Sequence, residues 1–118
     1  MKIRIKGRDQ EFSHDSEERT INIGRSSDND FIVPLDDFSR KHCTVTFNGN
    51  YAFIMDLGSK NGTSIDGRKI EPNRQYPIYP HSKVILANLF EFILPEGTSI
   101  KNLDEYELAV EEPPKRSR

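Results

Sequence analysis

Short runs in which apolar and polar residues alternate one for one, each closed by a turn former, constrain this chain more than any other feature of its sequence. Lys2-Ile3-Arg4-Ile5-Lys6 puts Ile3 and Ile5 on one side of an extended segment, and Thr20-Ile21-Asn22-Ile23 repeats the arrangement. A period of two is that of a β-strand with one buried face, whereas a helix would space its apolar residues three and four apart. Phe31-Ile32-Val33 is a brief apolar run stopped by Pro34, which reads as a strand with a turn at its end. The clearest pair follows. Cys43, Val45 and Phe47 face one way and Thr44 and Thr46 the other, and Asn48-Gly49-Asn50 then supplies residues that tolerate the positive φ of a tight hairpin turn. The return strand is predicted over 51–57, with Phe53, Met55 and Leu57 inward and Ala52 and Ile54 on the opposite side, against the end of a second sheet.

The polar stretch Gly7 to Glu18 reads as a loop or hairpin. Gly58, Gly62 and Gly67 punctuate the segment from Leu57 to Ile70, where Asn61-Gly62 and Asp66-Gly67 are favourable turn pairs. Further short runs lie at 76–79, 84–87 and 89–94. No window up to Pro95 carries a helical apolar face free of turn residues. The expected fold class is therefore all-β, a two-sheet β-sandwich of many short strands with its functional loops at one end. Beyond Pro95 the character changes: Leu103, Tyr106, Leu108 and Val110 could line a short amphipathic helix, and Glu111 to Arg118 reads as a flexible end. The expected organisation is one domain over residues 1–95 and an acidic, Pro/Lys/Arg-containing tail over 96–118.

Charge and residue usage narrow the chemistry. Residues 1–95 hold 13 basic and 13 acidic side chains, so the net charge of −2 comes from the tail. A formally neutral domain without Trp has neither the field nor the basic-aromatic array of a nucleic-acid binder, and it offers an anionic membrane no attraction. No nucleic-acid partner and no direct membrane contact are expected. Cys43 is the only cysteine, and His14, His42 and His81 lack zinc-site spacing, so neither a metal nor another cofactor is expected. The first apolar run is short and interrupted by charge, and no 18 consecutive residues are apolar; the expected location is the cytoplasm, or the nucleus in a eukaryote. No phosphate-binding glycine loop and no G-x-S-x-G elbow occur, and acidic pairs such as Asp36-Asp37 read as solvated loop charge. With Ser39 and His42 the only nearby hydroxyl–imidazole pair of note, no catalytic residue is assigned and an enzyme is not expected.

The polar residues that stand out sit at strand ends: Gly24-Arg25-Ser26-Ser27, Asp37-Phe38-Ser39-Arg40-Lys41-His42 and Gly58-Ser59-Lys60-Asn61-Gly62-Thr63. Gathered at one end of a sandwich, they offer guanidinium groups at Arg25 and Arg40, ammonium groups at Lys41 and Lys60, the Ser39 hydroxyl and the Asn61 amide. Such a set suits a doubly charged phosphate, which Arg can hold bidentately while hydroxyl and backbone N–H groups fill the other acceptor sites. Plainer roles compete: Arg25 as the partner of Asp28 or Asp30, Ser39 as a turn cap, Asn61-Gly62 as a simple turn, His42 as a satisfied structural histidine, and Lys41 and Lys60 as solvated charge.

These segments, in this order, carry a resemblance. Gly24-Arg25, Ser39-Arg40-Lys41-His42, Ser59-Lys60-Asn61-Gly62-Thr63 and Asp66-Gly67 resemble the motif series of the forkhead-associated (FHA) domain family, at spacings of 14 residues from Arg25 to Ser39 and 22 from Ser39 to Asn61. The similarity covers roughly residues 1–95. It implies a β-sandwich that binds phosphothreonine peptides, with Arg25 and Ser39 on the phosphate, Arg40 and Lys60 adding phosphate or peptide contacts, and Asn61 holding the peptide backbone. It further implies that His42 braces the loops from below, supported by Gly24, Ser59, Gly62 and Thr63. Asp66 stands where many members have Asn, a change that preserves the turn because Asp also tolerates the left-handed region. The implied partner is a phosphothreonine-containing protein, the substrate of a Ser/Thr kinase. The competing function is a phosphorylation-independent scaffold on the same fold, using an apolar surface near Leu89 and Phe90 or the tail.

Overall fold

A computed structural model describes residues 1–49, 51–79 and 81–95 of the 118. The tail expected over 96–118, with its helix, lies outside the described residues, as does Asn50 of the hairpin turn. Eleven strands occur among the described residues: β1 (Lys2–Lys6), β2 (Glu11–Asp15), β3 (Thr20–Gly24), β4 (Phe31–Ile32), β5 (Cys43–Asn48), β6 (Tyr51–Asp56), β7 (Thr63–Ile65), β8 (Arg68–Lys69), β9 (Gln75–Ile78), β10 (Val84–Leu86) and β11 (Phe90–Ile93). They form a six-stranded sheet in the order β2-β1-β11-β10-β7-β8 and a five-stranded sheet in the order β4-β3-β5-β6-β9. All pairings are antiparallel except the short parallel contact of β3 with β4. The fold is the all-β, two-sheet arrangement expected.

Alternation decides what is buried. Ile3, Ile5, Val84, Leu86, Phe90 and Phe92 of the first sheet meet Ile21, Ile23, Val45, Ile54 and Ile78 of the second in one apolar core. At about 25 cal/mol per Å² of apolar surface removed from water, this layer is what lets the connecting loops stay polar. The stretch from Gly7 to Glu18 contains a strand, β2, whose only apolar residue is Phe12; it pairs along the whole of β1 as a polar sheet edge.

The inward set on β6 is the reverse of the one predicted. Register pairs Val45 with Ile54, Phe47 with Ala52 and Cys43 with Asp56, so Ala52, Ile54 and Asp56 face the core. Phe53 and Met55 lie on the outer face with Thr46 and Thr44, although Phe53 is itself only 6% exposed. A continuous apolar run has no alternation to read. The facing is read instead from the register with β5, in which a slip of one residue exchanges the faces.

Candidate phosphopeptide-binding site

The loops that carry the distinctive polar residues meet at one end of the sandwich because their backbones bond to one another. Arg25 follows β3 directly, and its backbone N–H donates to the Ser39 carbonyl at 2.9 Å, while Ser26 N–H reaches the Arg40 carbonyl at 3.2 Å. This approach requires Gly24: a Cβ there would collide with the Arg40 carbonyl oxygen and lie 2.8 Å from Asn29 Nδ2. Asn29, 7% exposed, donates its amide to the carbonyls of both Ser26 (2.8 Å) and Arg40 (2.7 Å), fastening the two loops together. From below, Phe38 is buried and packs against His42 and Phe90, with ring centroids 5.0 and 5.2 Å away. Burying that ring fixes the height of Ser39 and turns the carbonyls of Asp37 and Phe38 toward the neighbouring loops.

Arg25 Nε donates to the Phe38 carbonyl at 3.0 Å, leaving the terminal guanidinium nitrogens exposed. Asn61 Nδ2 donates to the Asp37 carbonyl at 2.9 Å, which leaves its Oδ1 and second N–H for other partners. Ser39 Oγ accepts the Lys60 N–H at 2.8 Å and retains its own proton to donate. Arg25, the Lys60 backbone and Asn61 are therefore all hydrogen-bonded to the Asp37–Ser39 segment and form one cluster around it, with Arg40 exposed beside Ser39. Asp28 is occupied by Ser26 Oγ (2.6 Å) and Lys41 (3.1 Å), and Asp30 accepts the Asn22 N–H at 2.8 Å, so neither neutralises Arg25. Among the described residues no carboxylate forms an ion pair with Arg25, Arg40 or Lys60.

His42 holds the loops without being poised as a base. Its Nδ1 accepts the Ser39 backbone N–H at 3.2 Å, so the neutral ring carries its proton on Nε2 and donates to the Gly62 carbonyl at 3.0 Å. Burial lowers its pKa below the ordinary 6.5, against the opposing pull of the Gly62 bond and the Asp56 charge. With both ring nitrogens engaged, the imidazole does not serve the Ser39 hydroxyl. The Gly62 carbonyl also accepts the Ala87 N–H at 2.9 Å, which draws the β10–β11 turn to the same end. In that turn Leu89 is 57% exposed but Phe90 only 5%, so the apolar surface expected there narrows to Leu89.

Sequence reading missed the group that organises the β6–β7 turn. Asp56, 3% exposed, accepts the N–H groups of Gly58 and Ser59 through Oδ2, both at 2.9 Å, and the hydroxyls of Ser59 (2.6 Å) and Thr63 (2.7 Å) through Oδ1. Ser59 Oγ in turn accepts the Gly62 N–H at 2.9 Å. Burial pushes the Asp56 carboxyl up, but the hydrogen bonds from Ser59 and Thr63 outweigh it and hold the group below its ordinary 3.8. The readable signal was an Asp on the inward face of a strand followed by Gly at +2, Ser at +3 and Thr at +7.

Comparison with known proteins agrees with this geometry. Residues 21–87 match the family model described as FHA domain. Over 61 residues the chain is 33% identical to the FHA domain-containing protein FhaB of Mycobacterium tuberculosis, an alignment covering 52% of this chain and 39% of that protein. The chain thus matches about two fifths of that relative's length. Among solved structures, the FHA domain of CT664 from Chlamydia trachomatis superposes with a TM-score of 0.60 at 30% identity, over 80% of this chain and 99% of that one. An FHA structure analysed for phosphothreonine-dependent interactions shares the fold, with a TM-score of 0.60 at 23% identity over 79% of this chain and 94% of that one. The family model takes in all three loops that build the polar cluster and the strands from β3 to β10, more than half of the chain, and on that ground the chain belongs to the FHA domain family.

Proposed function

We propose that this domain recognises phosphothreonine peptides and mediates phosphorylation-dependent protein–protein interaction. The observation that carries the reading is the state of Arg25: its Nε is tied to the Phe38 carbonyl, its terminal nitrogens are exposed, and the Ser39 hydroxyl and Lys60 lie in the same hydrogen-bonded cluster. A phosphate dianion bound there would take a bidentate guanidinium and a hydroxyl donor, and Asn61 would offer its remaining amide atoms to the peptide backbone. Because the loops are already bonded to one another, little ordering is left for the ligand to impose. The proposed partner is a phosphothreonine-containing protein, the substrate of a Ser/Thr kinase, in the cytoplasm or, in a eukaryote, the nucleus.

The test is calorimetric titration of a phosphothreonine peptide and its unphosphorylated twin into wild type and Arg25→Ala, with thermal unfolding alongside. Loss of charge-assisted bonds to phosphate should cost about 1.5–3 kcal/mol, roughly 10- to 150-fold in affinity, while the fold persists. A folded variant with unchanged phosphate-dependent affinity would remove Arg25 from the site. Equal binding of both peptides by wild type would favour the phosphorylation-independent scaffold.

A further inference from the structure

Residues 66 and 67 form the two-residue turn of the β7–β8 hairpin, with φ of 51° at Asp66 and 86° at Gly67. Positive φ at both positions matches the strand twist and sets the register tightly, pairing Ser64 with Lys69 and Ile65 with Arg68. β8 therefore returns toward the binding end and sets Lys69 beside the head of β7. There its side chain crosses Gly62: a Cβ on that glycine would meet Lys69 Cε and stand 3.0 Å from Nζ. Gly62 is the residue after Asn61, and its carbonyl is fixed by His42 and Ala87. The ammonium group of Lys69 is thus placed over the backbone of the residue that follows Asn61. Asp56, the carboxylate bonded into this turn, has both oxygens filled by turn donors, and among the described residues no carboxylate pairs with Lys69.

Sheet order gives this end of the molecule two unlike flanks. Across the head of β7, the β10–β11 turn with Leu89 lies on one side and Lys69 on the other. Building on the phosphopeptide reading, we propose that Lys69 is a specificity-determining residue that selects an acidic side chain in the bound peptide, at the position passing over Gly62 on the β8 side of Asn61. An ammonium is a compact point charge without the planar fork of a guanidinium, so it reads the sign of the peptide residue more than its shape.

The experiment uses phosphothreonine peptides in which each flanking position in turn is Glu, Ala or Lys, with unphosphorylated twins, titrated at low salt into the full chain as wild type, Lys69→Gln, Lys69→Glu and, as a control at an exposed lysine outside the cluster, Lys83→Gln. At one position wild type should favour Glu over Ala by about two- to fivefold, the range of an exposed ion pair. That preference should vanish in Lys69→Gln, turn to Lys in Lys69→Glu and survive Lys83→Gln, with phosphate dependence retained throughout. Lys69 lies exposed on a two-residue strand, and thermal unfolding of each variant confirms the fold. Absence of an acidic preference in wild type, or its survival in Lys69→Gln, would overturn the assignment while leaving phosphopeptide binding in place. Equal binding of phosphorylated and unphosphorylated peptides by wild type would overturn the underlying reading, and the role of Lys69 with it.

Discussion

The hydroxyl oxygen of Ser39 accepts the backbone N–H of Lys60 at 2.8 Å, joining two loops whose bonded residues are 21 positions apart. One atom therefore serves two ends: it fixes the β6–β7 turn against the β4–β5 loop, and it keeps a proton aimed at whatever binds between them.

Ser39→Ala separates these roles. Loss of the Lys60 bond should lower stability by only about 0.5–1.5 kcal/mol, since water reaches this exposed N–H. Loss of the hydroxyl donor to a phosphate dianion should weaken phosphopeptide binding by about tenfold or more. Urea unfolding and peptide titration of the same preparations measure both quantities. A large stability loss with less than a twofold change in affinity would make Ser39 a loop brace alone.

Asp56→Asn should be among the more destabilising single-atom changes in this domain. The amide cannot accept at both ends, so at least one pair among the Gly58 and Ser59 N–H groups and the Ser59 and Thr63 hydroxyls must rearrange or go unsatisfied. A loss of about 2–3 kcal/mol is expected. Because the same turn carries Lys60 and Asn61, peptide affinity should fall although Asp56 would touch no ligand. Chemical unfolding within 0.5 kcal/mol of wild type would show that the turn holds without the carboxylate.

Stability should fall with acidification in two stages. His42 is held neutral by burial, so between its lowered folded pKa and the ordinary 6.5 the unfolded chain binds more protons than the folded one. Stability is then complete above 6.5 and declines as pH drops from there toward the folded value. Asp56, also lowered, adds a second decline as pH falls below its ordinary 3.8. Melting temperature across pH 3–8 reads both stages, and NMR titration of the His42 ring locates the first; a midpoint at or above 6.5 would contradict it. Stability is the cleaner readout, because a peptide phosphate itself titrates near pH 6.

How much of this was legible depended on how each residue acts. Ile3, Ile5, Ile21 and Ile23 declare their faces by alternation. Asp66-Gly67 declares its turn, and Asp66 takes the left-handed conformation expected of it. Arg25, Ser39 and Asn61 could be named because their order and spacing resemble a family pattern, and the structure brings them together. The run Ala52-Phe53-Ile54-Met55 could not be oriented, since every residue in it is apolar and the facing choice belongs to the register with β5. Asn29 and Phe38 escaped for a different reason: Asn29 reaches the Arg40 carbonyl 11 residues on and the Phe38 ring packs against Phe90, and neither residue gives a local sign of that. Asp56 did leave a sign, in the Gly58, Ser59 and Thr63 that follow it, but the face assigned to β6 turned it outward.

The fit of Gly24 beneath the Arg40 carbonyl bears on any attempt to redesign this surface. The recognition loops are not separable cassettes, since their shapes are set by one another through backbone contacts with no room for a methyl group. A library meant to produce new peptide preferences would keep Gly24, Asn29, Phe38, Asp56 and Gly62 fixed and spread its diversity over Arg40, Lys60, Lys69 and Leu89, whose side chains reach solvent without carrying the frame. Transplanting a single loop into another sandwich would carry its residues across and leave its conformation behind.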